Sequence, residues 1–137
     1  MSGERRACGT GIPVEEWAAT HQRALREIES ALQEGRDVVV DDTNCFRFLR
    51  DNYREVAGRF GAASVVVYID APLDVALQRL RSNEQARSRP AVTESVMREL
   101  AEKFEHPSID EATLVFHSGE DPDRWVEEHR SRLRSTA

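Results

Sequence analysis

The chain reads as an α/β domain: a three-layer arrangement with a parallel sheet between two layers of helices. Three observations predict this class. Short β-branched runs, RDVVVDD, SVVVYID and ATLVFHS, are separated by segments with helical periodicity. The apolar residues of the first two runs are contiguous rather than alternating, as in strands buried on both faces. Consecutive strands joined by helix-length connections pair in parallel, with right-handed crossovers. A length of 137 residues suits one core, so residues 1–137 are taken as a single domain.

The elements follow in order. The Gly-rich opening, MSGERRACGTG, is weakly patterned and is expected to be a loose lead-in. Pro13, followed by Glu15 and Glu16, starts a helix. Val14, Trp17, His21, Leu25, Ile28 and Leu32 form its apolar stripe, and Gly35 stops it. RDVVVDD is the first predicted strand. The second helix carries Phe46, Leu49, Tyr53, Val56 and Phe60 on one face and ends at Gly61, with Arg47, Arg50, Asp51 and Arg54 on its other faces. SVVVYID, Ser64 to Asp70, is the second strand. Pro72 follows, and Leu73 to Arg81 forms a third helix. SNEQARSRPA, Ser82 to Ala91, has no apolar period and is expected to be a loop. A fourth helix runs from Thr93, its N-cap, to Phe104, with Val96, Leu100 and Phe104 in line. HPSIDEA is a loop, ATLVFHS the third strand, and Asp121 to Arg134 the last helix, with Trp125, Val126, His129 and Leu133 inward.

Composition narrows the function classes. The chain is 39% hydrophobic and 32% charged, which describes a soluble, helix-rich protein with long solvated faces. No apolar run reaches bilayer-spanning length, so no membrane role is expected. The N-terminus lacks the apolar core of a secretory signal, and Cys8 and Cys45 are far apart without metal spacing. A reduced, cytoplasmic protein is the expectation. The formal net charge of −6 gives no general affinity for nucleic acid, although a local basic patch remains open. No Ser-His-Asp order, HExxH motif or Cys-rich metal set is present. His21 and His129 lie on apolar stripes, His106 precedes a proline in a loop, and His117 ends a strand. Trp17 and Trp125 sit among aliphatics at helical spacing and are read as core rather than as stacking platforms. Cys45 reads as a small residue in the first helical turn, with a reactive thiol as the alternative.

The stretch VVVDDTN, Val38 to Asn44, carries the chemistry. Parallel strands bring their C-terminal ends to one edge, where sites form in such sheets. Asp41, Asp42 and Asp70 are expected there. A carboxylate at a rigid strand end can hold Mg²⁺ through water or accept a proton from an attacking hydroxyl. Thr43 and Asn44 add short polar groups that can orient a substrate hydroxyl. The competing explanation is that Asp42 to Asn44 only cap the helix at Phe46.

VVVDDTN, the helix bearing Arg47 and Arg50, VVVYIDAPLDVALQRL and RSRPAVTESVMRELAEKFEHP together resemble the P-loop kinases of small hydroxylated substrates, an AAA-type ATP-binding group. The group includes polynucleotide 5′-kinases, the kinase that phosphorylates seryl-tRNA for selenocysteine synthesis, and its Elongator-associated relatives. The last pair is the most similar, through the DDTN-then-helix and RxRP…FE-x-P elements. The resemblance covers Val14 to His117. It implies a P-loop NTPase-like fold and an ATP- and Mg²⁺-dependent phosphotransferase acting on a hydroxyl of a nucleic acid, an aminoacyl-tRNA or a small metabolite. It places Asp41 near Mg²⁺ through water, and Asp42, the catalytic carboxylate of the set, with Thr43, Asn44 and Arg47 toward the acceptor. Arg87 and Arg89 fall in a lid loop over the phosphates, residues 82–92. Guanidinium forks bind phosphoryl oxygens bidentately and offset the charge that grows during transfer.

One element of that group is missing from the sequence. Strand, G-x-x-x-x-G-K-[ST], helix is the phosphate loop, and its lysine bridges the terminal phosphates. The only lysine here is Lys103, in AEKFE, and Cys8-Gly9-Thr10-Gly11 has neither a preceding strand nor a lysine. The sheet is therefore expected to lack its phosphate-loop strand, leaving RDVVVDD and SVVVYID with open edges, which are pairing hazards. Three occupants stand side by side: the other strand, a second copy in a homodimer, or a missing N-terminal segment. Two functional readings follow. One is a kinase with little turnover from these 137 residues alone. The other is a non-catalytic binding or regulatory protein derived from a kinase, self-associating through its open edge.

Overall fold

The computed structural model describes residues 13–86 and 92–134. In chain order these form α1 (Val14–Gln33), α2 (Arg47–Arg59), β1 (Val66–Asp70), α3 (Leu73–Ala86), α4 (Glu94–Lys103), a 3₁₀ turn (Ile109–Glu111), β2 (Thr113–His117) and α5 (Pro122–Leu133). β1 and β2 pair in parallel, Val66 opposite Thr113 through Asp70 opposite His117, with α3 and α4 in the connection between them. The α/β class and the parallel pairing are as the sequence predicts. The Gly-rich Cys8 to Gly11 stretch lies outside the described residues.

Each helix has a legible local cause. Glu15 and Glu16 fill the first turn of α1, and Gly35, at φ 73°, turns the chain out of it. Gly61 does the same after α2 at φ 67°, a left-handed value that costs glycine little. The Thr93 hydroxyl accepts the Val96 amide at 3.3 Å, so Thr93 is the N-cap of α4. Asp121 caps α5 by accepting the Asp123 amide at 3.0 Å, with Pro122 at the first helical position.

Packing follows the predicted stripes in part: Trp125 is buried as expected, but Val126 and Leu133, expected inward on α5, and Phe60, expected on the apolar face of the second helix, are exposed. Trp17 stacks on His21, and His21 meets the Tyr53 ring edge-on, joining α1 to α2. Leu49, Val56 and Ala57 of α2, Leu77 and Leu80 of α3, and Leu114 of β2 are buried. Tyr68 of β1 stacks on Phe104 at 5.7 Å, and His106 packs edge-on against both rings. Trp125 is buried under β2 and donates its indole N–H to the Val115 carbonyl at 2.9 Å. Its rings contact Phe116 and His129, so the core reading of Trp125 holds.

Four expectations need correction. RDVVVDD is not a strand: residues 36–41 run without a ladder, Val38 is exposed, and Val39 is 91% exposed. β-branched residues favour a strand only where a neighbour accepts their backbone hydrogen bonds. The described sheet has two strands, and β1 has one hydrogen-bonded neighbour, β2. β1 itself is not buried on both faces, since Val67 and Ile69 are exposed. The loop assigned to Ser82–Ala91 is helical as far as Ala86, because Asn83, Glu84, Gln85 and Ala86 extend α3 without needing an apolar stripe. Finally, HPSIDEA is not plain loop. Ser108 and Glu111 form a capping box around the 3₁₀ turn, with Ala112 left-handed after it.

Candidate functional site

The chain leaves α1 at Gly35 and reaches Asp41 in an extended, unpaired run. Asp41, Asp42 and Thr43 are exposed, and Asp41 has no hydrogen bond or ion pair to any described residue. The Asp42 carboxylate accepts the neighbouring Thr43 amide at 2.7 Å. Asn44 then turns left-handed, at φ 45°, a conformation asparagine tolerates better than most residues. Its Oδ1 is buried with no hydrogen-bond partner. Cys45 follows, buried, one residue before the N-cap of α2 rather than in its first turn.

The capping explanation for Asp42 to Asn44 fails. The N-cap of α2 is Phe46, which supplies no side-chain acceptor. A distant residue satisfies the helix end instead. The Glu105 carboxylate accepts the Arg47 amide at 3.1 Å, and the Glu105 amide donates to the Cys45 carbonyl at 2.8 Å. The segment after α4 therefore caps α2 reciprocally, and the acidic run is free of that duty.

Behind the exposed acids lies a buried network. Arg50, 5% exposed, forks onto Glu111, 2% exposed, with Nε–Oε1 at 2.8 Å and Nη2–Oε2 at 3.2 Å. Its remaining nitrogen, Nη1, donates to the Asn44 carbonyl at 2.9 Å. Arg54 Nη2 adds a third donor to Glu111 at 2.8 Å, and the Ser108 amide a fourth at 2.7 Å. The hydrogen bonds from Arg50 hold the Glu111 carboxyl well below the usual carboxylate range; burial opposes this, and the Ser108 and Arg54 donors reinforce it. One turn earlier, Arg47 donates through Nη2 to Asp110 at 2.6 Å and through Nη1 to the Ser108 hydroxyl at 2.6 Å. That contact depresses the Asp110 carboxyl strongly and raises the Arg47 guanidinium. The network thus ties the DDTN turn and the first turns of α2 to the Ser108–Glu111 turn.

The predicted site residues fall into three groups. Asp41, Asp42, Thr43 and Asn44 stay together as one exposed-to-half-buried turn. Arg47, expected toward the acceptor, has its guanidinium engaged by Asp110 and Ser108, pointing it at the fold rather than at the turn. Arg87 and Arg89 lie outside the described residues. Asp70 ends β1 as expected and pairs with His117 across the strands, Oδ2–Nδ1 3.3 Å. No hydrogen bond or ion pair joins Asp41 or Asp42 to Asp70 or Arg47 among the described residues. Burial, and then the charge of Asp42, push the Tyr53 hydroxyl up.

Among the described residues no three His, Cys, Asp or Glu side chains group as a metal cage. An ion that keeps its waters and binds phosphates through one or two carboxylates needs no such cage, and Asp41 is an exposed carboxylate of the kind such an ion takes. Lys103 is ion-paired to Glu99 on α4 at 2.6 Å and offers nothing to a phosphate. A surface cavity of about 420 Å³ lies on α1, between Arg23, Arg26 and Arg36. It is an open depression floored by buried Ala31 and rimmed by exposed charged side chains, and it includes none of the residues above.

Glu105 and Glu111 carry no role in the sequence pattern, and Arg50 stands in it only as an outer-face arginine of the helix after DDTN. One signal was present for Glu111. Ser108-Ile109-Asp110-Glu111 matches the S-x-x-E capping box. No helix in the described residues is long and apolar enough to cross a membrane.

A family model described as an AAA domain matches residues 3–107. That span takes in the DDTN turn, α2, β1, α3 and α4 and stops before the Ser108–Glu111 turn. No curated protein matches the chain.

Proposed function

The chain belongs to the AAA domain family, a family of P-loop NTPase-like kinases, and from that premise we propose that it carries the acceptor-facing half of an ATP-dependent phosphotransferase. One observation carries the reading. Asp41, Asp42 and Thr43 are exposed and are not consumed by helix capping, while a buried ion-pair network supports the turn that bears them.

In this reading Asp41 holds Mg²⁺ through water. When bound there, the ion would supply positive charge against the terminal phosphates. Thr43 and Asn44 orient the acceptor hydroxyl, and Asp42 takes its proton as the oxygen bonds to the terminal phosphorus of ATP and ADP leaves. Arg87 and Arg89 are the cations of the candidate lid. The acceptor class is a nucleic acid, an aminoacyl-tRNA or a small metabolite. These 137 residues contain no G-x-x-x-x-G-K-[ST], so the grip on ATP is weak and efficient transfer needs a phosphate loop from outside them. A phosphate-loop strand on the free edge of β1 would restore the three-layer sheet.

Calorimetric titration with ATP, with and without Mg²⁺, tests this. Weak binding that requires Mg²⁺ and is lost in Asp41→Asn supports the reading. Binding indifferent to Mg²⁺ and to that substitution would falsify it.

A second reading rests on β1, which has β2 as its one ladder neighbour among the described residues and whose Val67 and Ile69 are exposed on one face. There the chain is a non-catalytic module that pairs with a second copy. Sedimentation of wild type and Ile69→Lys separates the two. A concentration-dependent dimer abolished by the lysine favours the module, because a charged edge blocks strand addition.

A further inference from the structure

Two stretches of this chain keep strand-forming backbone with no strand beside it. The first is the outer edge of β1. Its ladder to β2 begins where the Val66 amide donates to the Ala112 carbonyl at 3.2 Å and ends where the Ser118 amide donates to the Asp70 carbonyl at 2.9 Å. Along a strand, alternate residues turn their N–H and C=O groups to opposite edges. Val66, Tyr68 and Asp70 therefore face β2, and the backbone groups of Val67 and Ile69 point the other way. No described residue hydrogen-bonds to them there. Their side chains are exposed as well, at 40% and 57%.

The second stretch is the run after α1. Asp37 to Asp41 make no backbone hydrogen bond to any described residue, and Val39 is 91% exposed. Three consecutive valines suit a sheet, and their backbone groups are left to water here. The run and the edge of β1 thus lack the same thing, and each can supply it to the other.

Charge decides between copies. Within one copy the run leads to β1 through α2, and a helical crossover aligns two strands in parallel. That alignment brings Asp41 and Asp42 alongside Asp70, and like charges opposite one another oppose pairing. A second copy is free to align antiparallel. The acids then lie at opposite ends, and Arg36, at the head of the run, comes to the end of β1 that carries Asp70.

We propose that Val38–Val40 of one copy add as an antiparallel strand to the outer edge of β1 in a second copy, and that the exchange is reciprocal. Two such contacts close a two-fold dimer. The proposal rests on the second reading above and names the segment that does the pairing.

Sedimentation velocity of the full chain over a range of concentrations tests it. Wild type dimerises. Val38 and Val39 turn their N–H groups to opposite edges of the added strand, so one of Val38→Pro and Val39→Pro removes a hydrogen bond from both contacts. That variant weakens the dimer by roughly five- to hundredfold. Val39→Thr, β-branched and with its N–H intact, keeps the dimer. Circular dichroism stays as in wild type, since the run's backbone bonds to nothing described within its own copy. Arg36→Glu, which sets a like charge toward Asp70, weakens the dimer by about two- to fivefold. A dimer unchanged by Arg36→Glu overturns the antiparallel direction. A dimer lost in Ile69→Lys but indifferent to both prolines overturns the exchange and leaves the second reading standing, with β1 paired to something other than the run. Wild type that stays monomeric at every concentration overturns both.

Discussion

The guanidinium of Arg50 and the carboxylate of Glu111 lie side by side in the interior, sixty-one residues apart in sequence and 2.8 Å apart at their closest atoms. A third arginine nitrogen holds the Asn44 carbonyl. The pair therefore does two things at once. It closes the α2-to-β2 half of the fold, and it fixes the far end of the turn that carries the exposed acids.

Breaking that pair from one side leaves a buried charge without its partner. Arg50→Met or Glu111→Leu alone should lower stability by about 3–5 kcal/mol, and the double variant should lie closer to wild type than either. Urea denaturation midpoints for the four proteins check this. Additive losses in the double variant would show that the two side chains do not act as a pair.

The depressed Glu111 and Asp110 carboxyls should make stability fall in acid. The Glu111 and Asp110 carboxyls are depressed in the folded chain from ordinary values of 4.5 and 3.8. Between the folded and ordinary values the unfolded chain binds more protons, so stability rises with pH there. The contribution is complete above about pH 5 and falls away as pH drops below the ordinary values toward the folded ones. Stability measured from pH 6 down to pH 2.5 should decline, and Glu111→Gln should flatten the decline. A parallel slope in the variant would assign the acid limb to other groups.

The two capped helices give a sharper local expectation. Thr93→Ala removes the acceptor for the Val96 amide, and Asp121→Ala the acceptor for the Asp123 amide. Each should cost about 1 kcal/mol. Thermal or urea midpoints of the single and double variants report it, and the two losses should add because the caps belong to different helices.

Asp41 is distinguished from other surface charges by its proposed role. Asp41→Asn should weaken Mg²⁺-dependent nucleotide binding by about ten- to hundredfold, the range for a partner that reaches a metal through water. Arg26→Ala is the control: Arg26 is exposed on α1 and has no partner among the described residues. Arg54 is unsuitable, since it donates to buried Glu111. Equal effects of Asp41→Asn and Arg26→Ala would remove Asp41 from the site.

Local pattern determined much of this protein. The stripe from Val14 to Leu32, Thr93 as a cap, Gly35 and Gly61 as stops, and the two strands Val66–Asp70 and Thr113–His117 follow from side-chain period and turn chemistry, which act within a few residues. The acidic turn was legible for the same reason, as four polar residues after an apolar run. Two matters were settled only in three dimensions. Val38 to Val40 have the composition of a buried strand and yet lie without a ladder, because pairing depends on a neighbour elsewhere in the chain. Arg50 looks like a surface arginine on its helix, yet it is buried, because Glu111 arrives from sixty-one positions away with a matching carboxylate. Periodicity reports what a segment offers to its surroundings. Which surroundings meet it is a property of the packed chain.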